Sequence, residues 1–470
     1  MGQERKKSLA LIFGPTAFLL VRMAAQPFGE KAAWALGLAA WMALWWMLRP
    51  VDIAVTALLP IAVNAAFSLS PNERVISRYF SEIVVLLLGA DLISLTWERT
   101  GLDRRVAVRV LCGIGASMRR QIFAWLGASA ALSVFLPNVV VAAILCPIAA
   151  AMLRFVSGKQ ALPAAAVPIL LAVGWGSGIG GFGSPIGGAA NLVAISYLEN
   201  LTGHEFMYVD WVVRFLPFLA FVFSLNLAFL LVMAGHGRLP GSGDYFRDLY
   251  RGLGPLSRGE RIGLTLFAAA TALAFLRPLY AALLPGMKPA YVFLSLGLLT
   301  FFLRDENGTP MLAWKFAESH VMWGMMFLFA SGMALGGLLI DTGAVEKLAA
   351  LIAEAEPRGG VGTVALFVVF GCLLSELSSN TAAASITLPV VIGICGAVGL
   401  DPTPYLLITV VAVNCAYILP ISTRAIPVAH GLDAGVQIRQ GLRLAVLNAI
   451  AVTAAGWFCL RFVPAFSALP

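Results

Sequence analysis

Between two apolar runs the chain carries SELSSNTAAASITLPV, residues 375 to 390, which sets Ser375, Glu376, Ser378, Ser379, Asn380 and Thr381 within seven positions. Hydroxyl and amide oxygens at that density are hard ligands of the kind a small cation takes. Their hydrogens donate to an anion, and Asn380 offers both functions in one side chain. Glu376 is an ionisable group beside apolar sequence, costly in such surroundings and therefore a candidate functional group. The residues leave open whether it carries a proton, supports a cation indirectly, or caps and pairs at a helix end.

A second stretch, SVFLPNVVVAAILCPI at residues 133 to 148, repeats the pattern. Ser133 precedes Asn138 by five positions, as Ser375 precedes Asn380, and Pro147 follows Asn138 by nine, as Pro389 follows Asn380. Downstream, GSPIGGAAN at 183 to 191 answers ILPISTRAI at 418 to 426, with Pro185-Ile186 opposite Pro420-Ile421. Two matching pairs in the same order indicate a duplicated unit. Repeated membrane units with polar, Gly and Pro interruptions at corresponding places mark transporters whose site forms where unwound segments meet. An interrupted helix frees carbonyls that suit a cation and amides that suit an anion. The glycines of GWGSGIGGFGSPIGG, residues 174 to 188, fit close backbone approach and not a nucleotide loop, for no GKS/T ending follows.

The elements that position these residues are membrane helices. Of 470 residues, 60% are hydrophobic and 12% charged, with a mean hydropathy of +0.88, a composition for a bilayer. A span needs about 20 apolar residues, and the apolar segments predict roughly 10 to 13 spans, broken ones included. Arg5, Lys6 and Lys7 precede SLALIFGPTAFLLV, read as a retained first helix and not a cleaved leader. Cys112, Cys146, Cys372, Cys395, Cys415 and Cys459 lack CxxC spacing and read as small hydrophobes. His320, His430 and Asp341 read as helix-end or interfacial groups.

The formal charge of +8 collects in two places. Arg99, Arg104, Arg105, Arg109, Arg119 and Arg120 flank one gap between spans, and Arg247, Arg251, Arg258 and Arg261 occupy another. Short basic loops are retained in the cytoplasm, which predicts both and the N-terminus on the cytoplasmic side of a cytoplasmic (inner) membrane and gives no reason to expect nucleic acid. The chain divides into N-terminal scaffold helices at 1–70, a first repeat at 71–240 with a hairpin near 122–156 and a broken helix near 174–198, a basic linker at 241–262, and a second repeat at 263–462 with a hairpin near 361–399 and a broken helix near 403–430.

These hairpin motifs, with PVDIAVTALLPIAVNAAF at 50 to 67, VVLLLGADLISLTWERTGLDRRVAVRVL at 84 to 111 and WGMMFLFASGMALGGLLIDTG at 323 to 343, resemble the divalent anion/sodium symporter family of sodium-coupled dicarboxylate and sulfate carriers. The resemblance runs from about residue 30 to the C-terminus. It implies an all-α polytopic fold of two inverted repeats with re-entrant hairpins and broken helices, an elevator-type movement against a scaffold, and a homodimer. The family's Ser-Asn-Thr motif stands intact as Ser379-Asn380-Thr381 but reads Pro137-Asn138-Val139 in the first half. Carried over residue by residue, one sodium site draws on Ser133, Asn138 and the backbone at Gly187, the other on Ser375, Ser378, Asn380 and the backbone near Ser422. The substrate tips are Asn138, Gly188 and Ala189 on one side and Ser379, Asn380, Thr381, Thr423 and Arg424 on the other. Where the family has a Ser/Thr-Pro-Pro-Asn turn, this chain has Gly188-Ala189-Ala190-Asn191 and Thr423-Arg424-Ala425-Ile426.

Arg424 is the sharpest departure. Its guanidinium is a planar fork of donors suited to a carboxylate or sulfate-like anion. Three placements are open: contact with substrate, an ion pair with Glu376, or snorkelling to the interface. The reading is a secondary active transporter that moves a small divalent anion, a C4-type dicarboxylate, with sodium as coupling ion and no enzymatic cofactor. The alternatives are a proton-coupled or exchange-type carrier of sulfate or another oxyanion, and a membrane enzyme acting on a lipid or phosphate substrate. The last is disfavoured by the absence of an acidic metal cluster or paired histidines in the sequence.

Overall fold

The computed structural model describes residues 3–158, 165–347 and 359–467, and the regular secondary structure among those residues is helical, without strands. Among the described residues, eight helices are long and apolar enough to cross a membrane, including Glu30–Leu48, Tyr208–Ala234 and Ala434–Phe462. Shorter apolar helices such as Val361–Leu377 and Pro402–Asn414 complete a multi-pass membrane protein. The outer helices leave Val213, Leu216, Leu442, Val446 and Ile450 exposed. Their row of bare side chains is the surface a bilayer covers.

Both hairpins form as their punctuation demands. In the first, Met118–Ser133 ends before Pro137 and resumes as Asn138–Ser157. In the second, Val361–Leu377 ends at the extended Ser378, and Ser379 caps Asn380–Ala397 by accepting from the Ala382 amide at 3.2 Å. Pro147 and Pro389 lie inside the returning arms, as the repeat predicts. The first broken helix runs Ala166–Gly180 and Ala189–Thr202; the second runs Pro402–Asn414 and then Ser422–Arg424 with Ala425–Ala429.

Packing relates the halves twice over. In each, the first segment of the broken helix lies against the first arm of its own hairpin, Ala166–Gly180 on Met118–Ser133 and Pro402–Asn414 on Val361–Leu377. The second segments then cross over: Ala189–Thr202 packs on Asn380–Ala397, and Ala425–Ala429 packs on Asn138–Ser157. Glycine makes the close approaches, since a Cβ at Gly180 would run into the Ala130 backbone.

Around this body, Glu82–Thr100 packs on Pro289–Leu299 with Gly89 against the backbone of Phe293 and Leu294. The N-terminal Gln3–Ala24 lies against Glu30–Leu48, and Trp34 stacks on Phe67 at 3.8 Å between centroids. The two basic segments meet: Arg105 is buried, donates through Nε to Glu260 at 2.5 Å, and reaches the Leu253 and Gly254 carbonyls. Glu260 also closes a capping box with Ser257. One buried pair thus ties the linker to the helix Leu102–Leu111.

His430 and His320 each lie within hydrogen-bonding distance of the carbonyl four residues back, and Asp341 accepts from Ser70 and Arg74 at its helix end. The six cysteines are free.

Candidate functional site

Where the two breaks face the hairpins, the backbone loses its helical partners, and inside a membrane each unpartnered polar group costs several kcal/mol. The halves meet that cost in different ways. Neutral side chains hold the first break. Asn191 donates to the Gly181 and Ser184 carbonyls at 2.7 and 2.8 Å, Trp211 donates to the Phe182 carbonyl at 2.9 Å, and the Ser184 hydroxyl donates to the Val134 carbonyl.

Charged side chains hold the second. Glu376 accepts from the Tyr417 and Leu419 amides and, through both its oxygens at 3.0 Å, from the Ile418 amide, three consecutive N–H groups that unwinding after Asn414 has freed. Arg424 serves the carbonyls: its Nε donates to Leu419 at 2.8 Å, its Nη2 to Ser375 at 3.0 Å and to Glu376 at 3.4 Å. Its Nη2 also stands 3.8 Å from a Glu376 carboxylate oxygen. Both side chains are buried, at 5% and 6% exposure, so Arg424 does not snorkel. Of the readings open for these residues, the geometry is that of internal pairing for Arg424 and end-capping for Glu376.

The candidate cation ligands gather behind the tips. Ser133 and Gly187 are buried, and the Ser133 hydroxyl has no hydrogen-bond partner. The Asn138 amide lies 2.8 Å from the Gly187 carbonyl and 3.3 Å from that of Ser177. Turned one way it donates to both. Turned the other way it brings three oxygens together, a cluster that only a cation stabilises. The Gly178 carbonyl is 3.4 Å from the same amide. These groups fit a sodium ion: a hydroxyl, an amide and carbonyls, all hard oxygen donors. No group of His, Cys, Asp or Glu among the described residues has the spacing of a transition-metal site.

In the second half the Ser375 hydroxyl sits 2.5 Å from the Val413 carbonyl and 3.0 Å from Asn380 Oδ1. The Ser378 hydroxyl donates to the Leu374 carbonyl at 2.7 Å. Ser422 holds a left-handed φ of 55°, rare for a residue with a side chain.

The candidate substrate residues differ in burial from the cation ligands. Asn138, Gly188, Ala189, Ser379, Asn380 and Thr423 are half-buried, in contrast to the fully buried Ser133 and Ser375 behind them, while Thr381 is buried at 4%. The crossed packing sets Gly188 and Ala189 at the start of the segment that lies on the Asn380 arm. It likewise brings the Ser422–Arg424 turn against the Asn138 arm. Each predicted tip thus belongs to an element that packs on the other half of the chain.

Sequence reasoning missed the amide ladder between them. Asn380 donates to Asn414 at 3.2 Å, and Asn414 to Asn191 at 3.4 Å, joining the second tip to the first break. Asn414 and Asn191 are buried, and each is a lone amide in an apolar run, the signal that could have found them. Ser177 and Val413 contribute backbone carbonyls, for which the side-chain sequence gives no sign.

Gly187 shows how little room remains. A Cβ there would lie 2.5 Å from the Ser133 carbonyl, 2.6 Å from that of Gly181 and 2.9 Å from that of Val134. Gly187→Ala is expected to lower sodium affinity by about 10-fold or more, since relieving these clashes displaces residue 187 and with it the carbonyl that faces Asn138. Sodium-dependent thermal stabilisation of purified protein measures this, and an unchanged midpoint would refute the carbonyl role.

An interrupted, duplicated, all-helical membrane body with its polar groups at the breaks is the architecture of a transporter. The family pattern described as the sodium:sulfate symporter transmembrane region matches residues 6–463, and the chain belongs to that family; it is a transporter and not an enzyme. A sodium-dependent dicarboxylate transporter, SdcS, of Staphylococcus saprophyticus is 26% identical over 436 residues, covering 88% of this chain and 83% of that protein. SdcS of Staphylococcus aureus is 26% identical over 433 residues with the same coverage. Among solved structures, the Alcanivorax borkumensis YdaH transporter, described as having an unusual topology, superposes with a TM-score of 0.55 at 13% identity, over 88% of this chain and 98% of that one. That likeness is one of fold.

Proposed function

We propose that the chain is a secondary active transporter that couples a sodium gradient to the movement of a small divalent anion, a C4-type dicarboxylate. The observation that carries the reading is the layered site: half-buried hydroxyl, amide and helix-start groups at Asn138, Gly188, Ala189, Ser379, Asn380 and Thr423, backed by the buried oxygens of Ser133 and Gly187. The names of the Staphylococcus relatives support sodium and a dicarboxylate together.

In this reading sodium draws the Asn138 amide oxygen and the Gly187 and Ser177 carbonyls into one shell and so orders the first tip. A dianion then meets the sodium's field and the donors of the opposite tip. The hairpins and broken helices move as one body against the helices Glu82–Thr100 and Pro289–Leu299 in an elevator-like step, within a homodimer embedded in lipid. The charge of the basic segments supports a cytoplasmic N-terminus.

Uptake of labelled succinate by purified protein in liposomes, with sodium and proton gradients imposed separately, is the test. Sodium-driven accumulation is the expected result. Accumulation driven by protons alone would overturn sodium coupling. Failure with succinate but sodium-driven uptake of sulfate would overturn the dicarboxylate assignment and leave the coupling intact.

A further inference from the structure

The two halves differ at the place where a cation would sit. In the first, a buried hydroxyl on Ser133 lacks a partner beside the Asn138 amide and the Gly187 and Ser177 carbonyls, a set of oxygens free to turn toward a cation. No lysine or arginine occurs between Arg120 and Arg154, nor between residues 165 and 213, so the chain's own sequence brings none on those segments. In the second, Ser375 already donates, with the Val413 carbonyl at 2.5 Å and Asn380 Oδ1 at 3.0 Å. Directly behind them a guanidinium is in place, on the carbonyls of Leu419, Ser375 and Glu376 at 2.8, 3.0 and 3.4 Å.

Those three carbonyls belong to the end of the hairpin's first arm and to the break, the groups whose negative ends a bound cation would otherwise neutralise. The guanidinium is held more closely by them than by the Glu376 carboxylate at 3.8 Å, and that carboxylate is itself taken up by the Tyr417, Ile418 and Leu419 amides. Gln437 fixes the Arg424 carbonyl from the helix Ala434–Phe462 at 3.1 Å, so the residue is pinned at both ends.

We propose that Arg424 is a built-in cation that takes the place of a second sodium, so that the chain binds one sodium per protomer, at Ser133, Asn138, Gly187 and Ser177. A guanidinium is charged at every physiological pH and cannot leave. A sodium ion added beside Ser375 would sit in its field in a medium of low dielectric, where like charges repel strongly. The inference rests on the sodium-coupled reading above and narrows it.

Equilibrium binding of radioactive sodium to purified protein, counted per chain at saturation, decides the point without any transport assay. One ion per chain is expected, with a Hill coefficient of about 1. Ser133→Ala is expected to abolish all saturable binding. Two ions per wild-type chain, or binding that falls only by half in Ser133→Ala, would overturn the role of Arg424 while leaving sodium coupling in force. No saturable sodium at all in folded wild-type protein would overturn both. In Arg424→Ala a second ion is expected to appear. Should that variant fail to fold, the wild-type count and the Ser133→Ala count still decide between one ion and two.

Discussion

Asn138→Ala is expected to abolish sodium-driven uptake and to lower sodium affinity by about 100-fold or more, while the protein still inserts and folds. The magnitude follows from what the amide does. Changing even outer-shell partners of a metal site typically lowers affinity about 10- to 100-fold, and Asn138 stands in direct contact distance of the Gly187 and Ser177 carbonyls. Its loss leaves these and the Gly178 carbonyl facing one another without the group that reconciles them. Folding should survive because the break itself is held elsewhere, by Asn191, Trp211 and Ser184. Gly181 is the reporter of this geometry: its bare Cα leaves the room that the Asn138 amide occupies. Near-normal uptake by Asn138→Ala in liposomes would remove Asn138 from the coupling site.

Glu376→Ala should act on the fold first. It strands three backbone amides and leaves the Arg424 guanidinium without its carboxylate, all in a buried setting. Breaking a buried charge pair by deleting one member costs about 3–5 kcal/mol, because the survivor is uncompensated. The expected readout is a large drop in the thermal unfolding midpoint in detergent, with little correctly folded protein recovered. Glu376→Gln keeps the shape and one acceptor oxygen but removes the charge and sets an NH2 against the Leu419 amide and the guanidinium, so it should recover only part of the stability. A proton-carrying role predicts the reverse pattern, in which Gln folds as well as wild type and changes only the pH dependence of transport. The ratio of the two effects therefore separates capping from proton transfer.

The contrast between the halves gives these predictions their different characters. The first break is satisfied by neutral donors and leaves the buried Ser133 hydroxyl unpartnered, at a place suited to a cation. The second is closed by fixed charges of its own. In this reading a duplicated unit has diverged so that one copy responds to an ion and the other carries its own, and the sodium count above tests it.

Much of this was legible in the residues themselves. Composition and the length of the apolar runs determine a polytopic helical membrane protein, because a bilayer admits few other ways to satisfy a backbone. Pro137, Pro147, Pro389 and the Gly-rich run determine where helices stop or bend, since proline cannot carry the hydrogen-bond ladder through and glycine permits close backbone approach. The recurring Ser and Asn at five-residue spacing determine that each half has a polar tip. Tertiary structure alone decided which groups the tips meet. Whether Arg424 faces outward or inward depends on how the unwound turn after Asn414 folds back on the end of Val361–Leu377, where the Ser375, Glu376 and Leu419 carbonyls receive it, a contact that no local pattern specifies. The carbonyls of Ser177 and Val413 and the amides that Glu376 captures belong to every residue type alike, so their roles are invisible until the chain is folded and the unwound turns show which backbone groups have lost their partners.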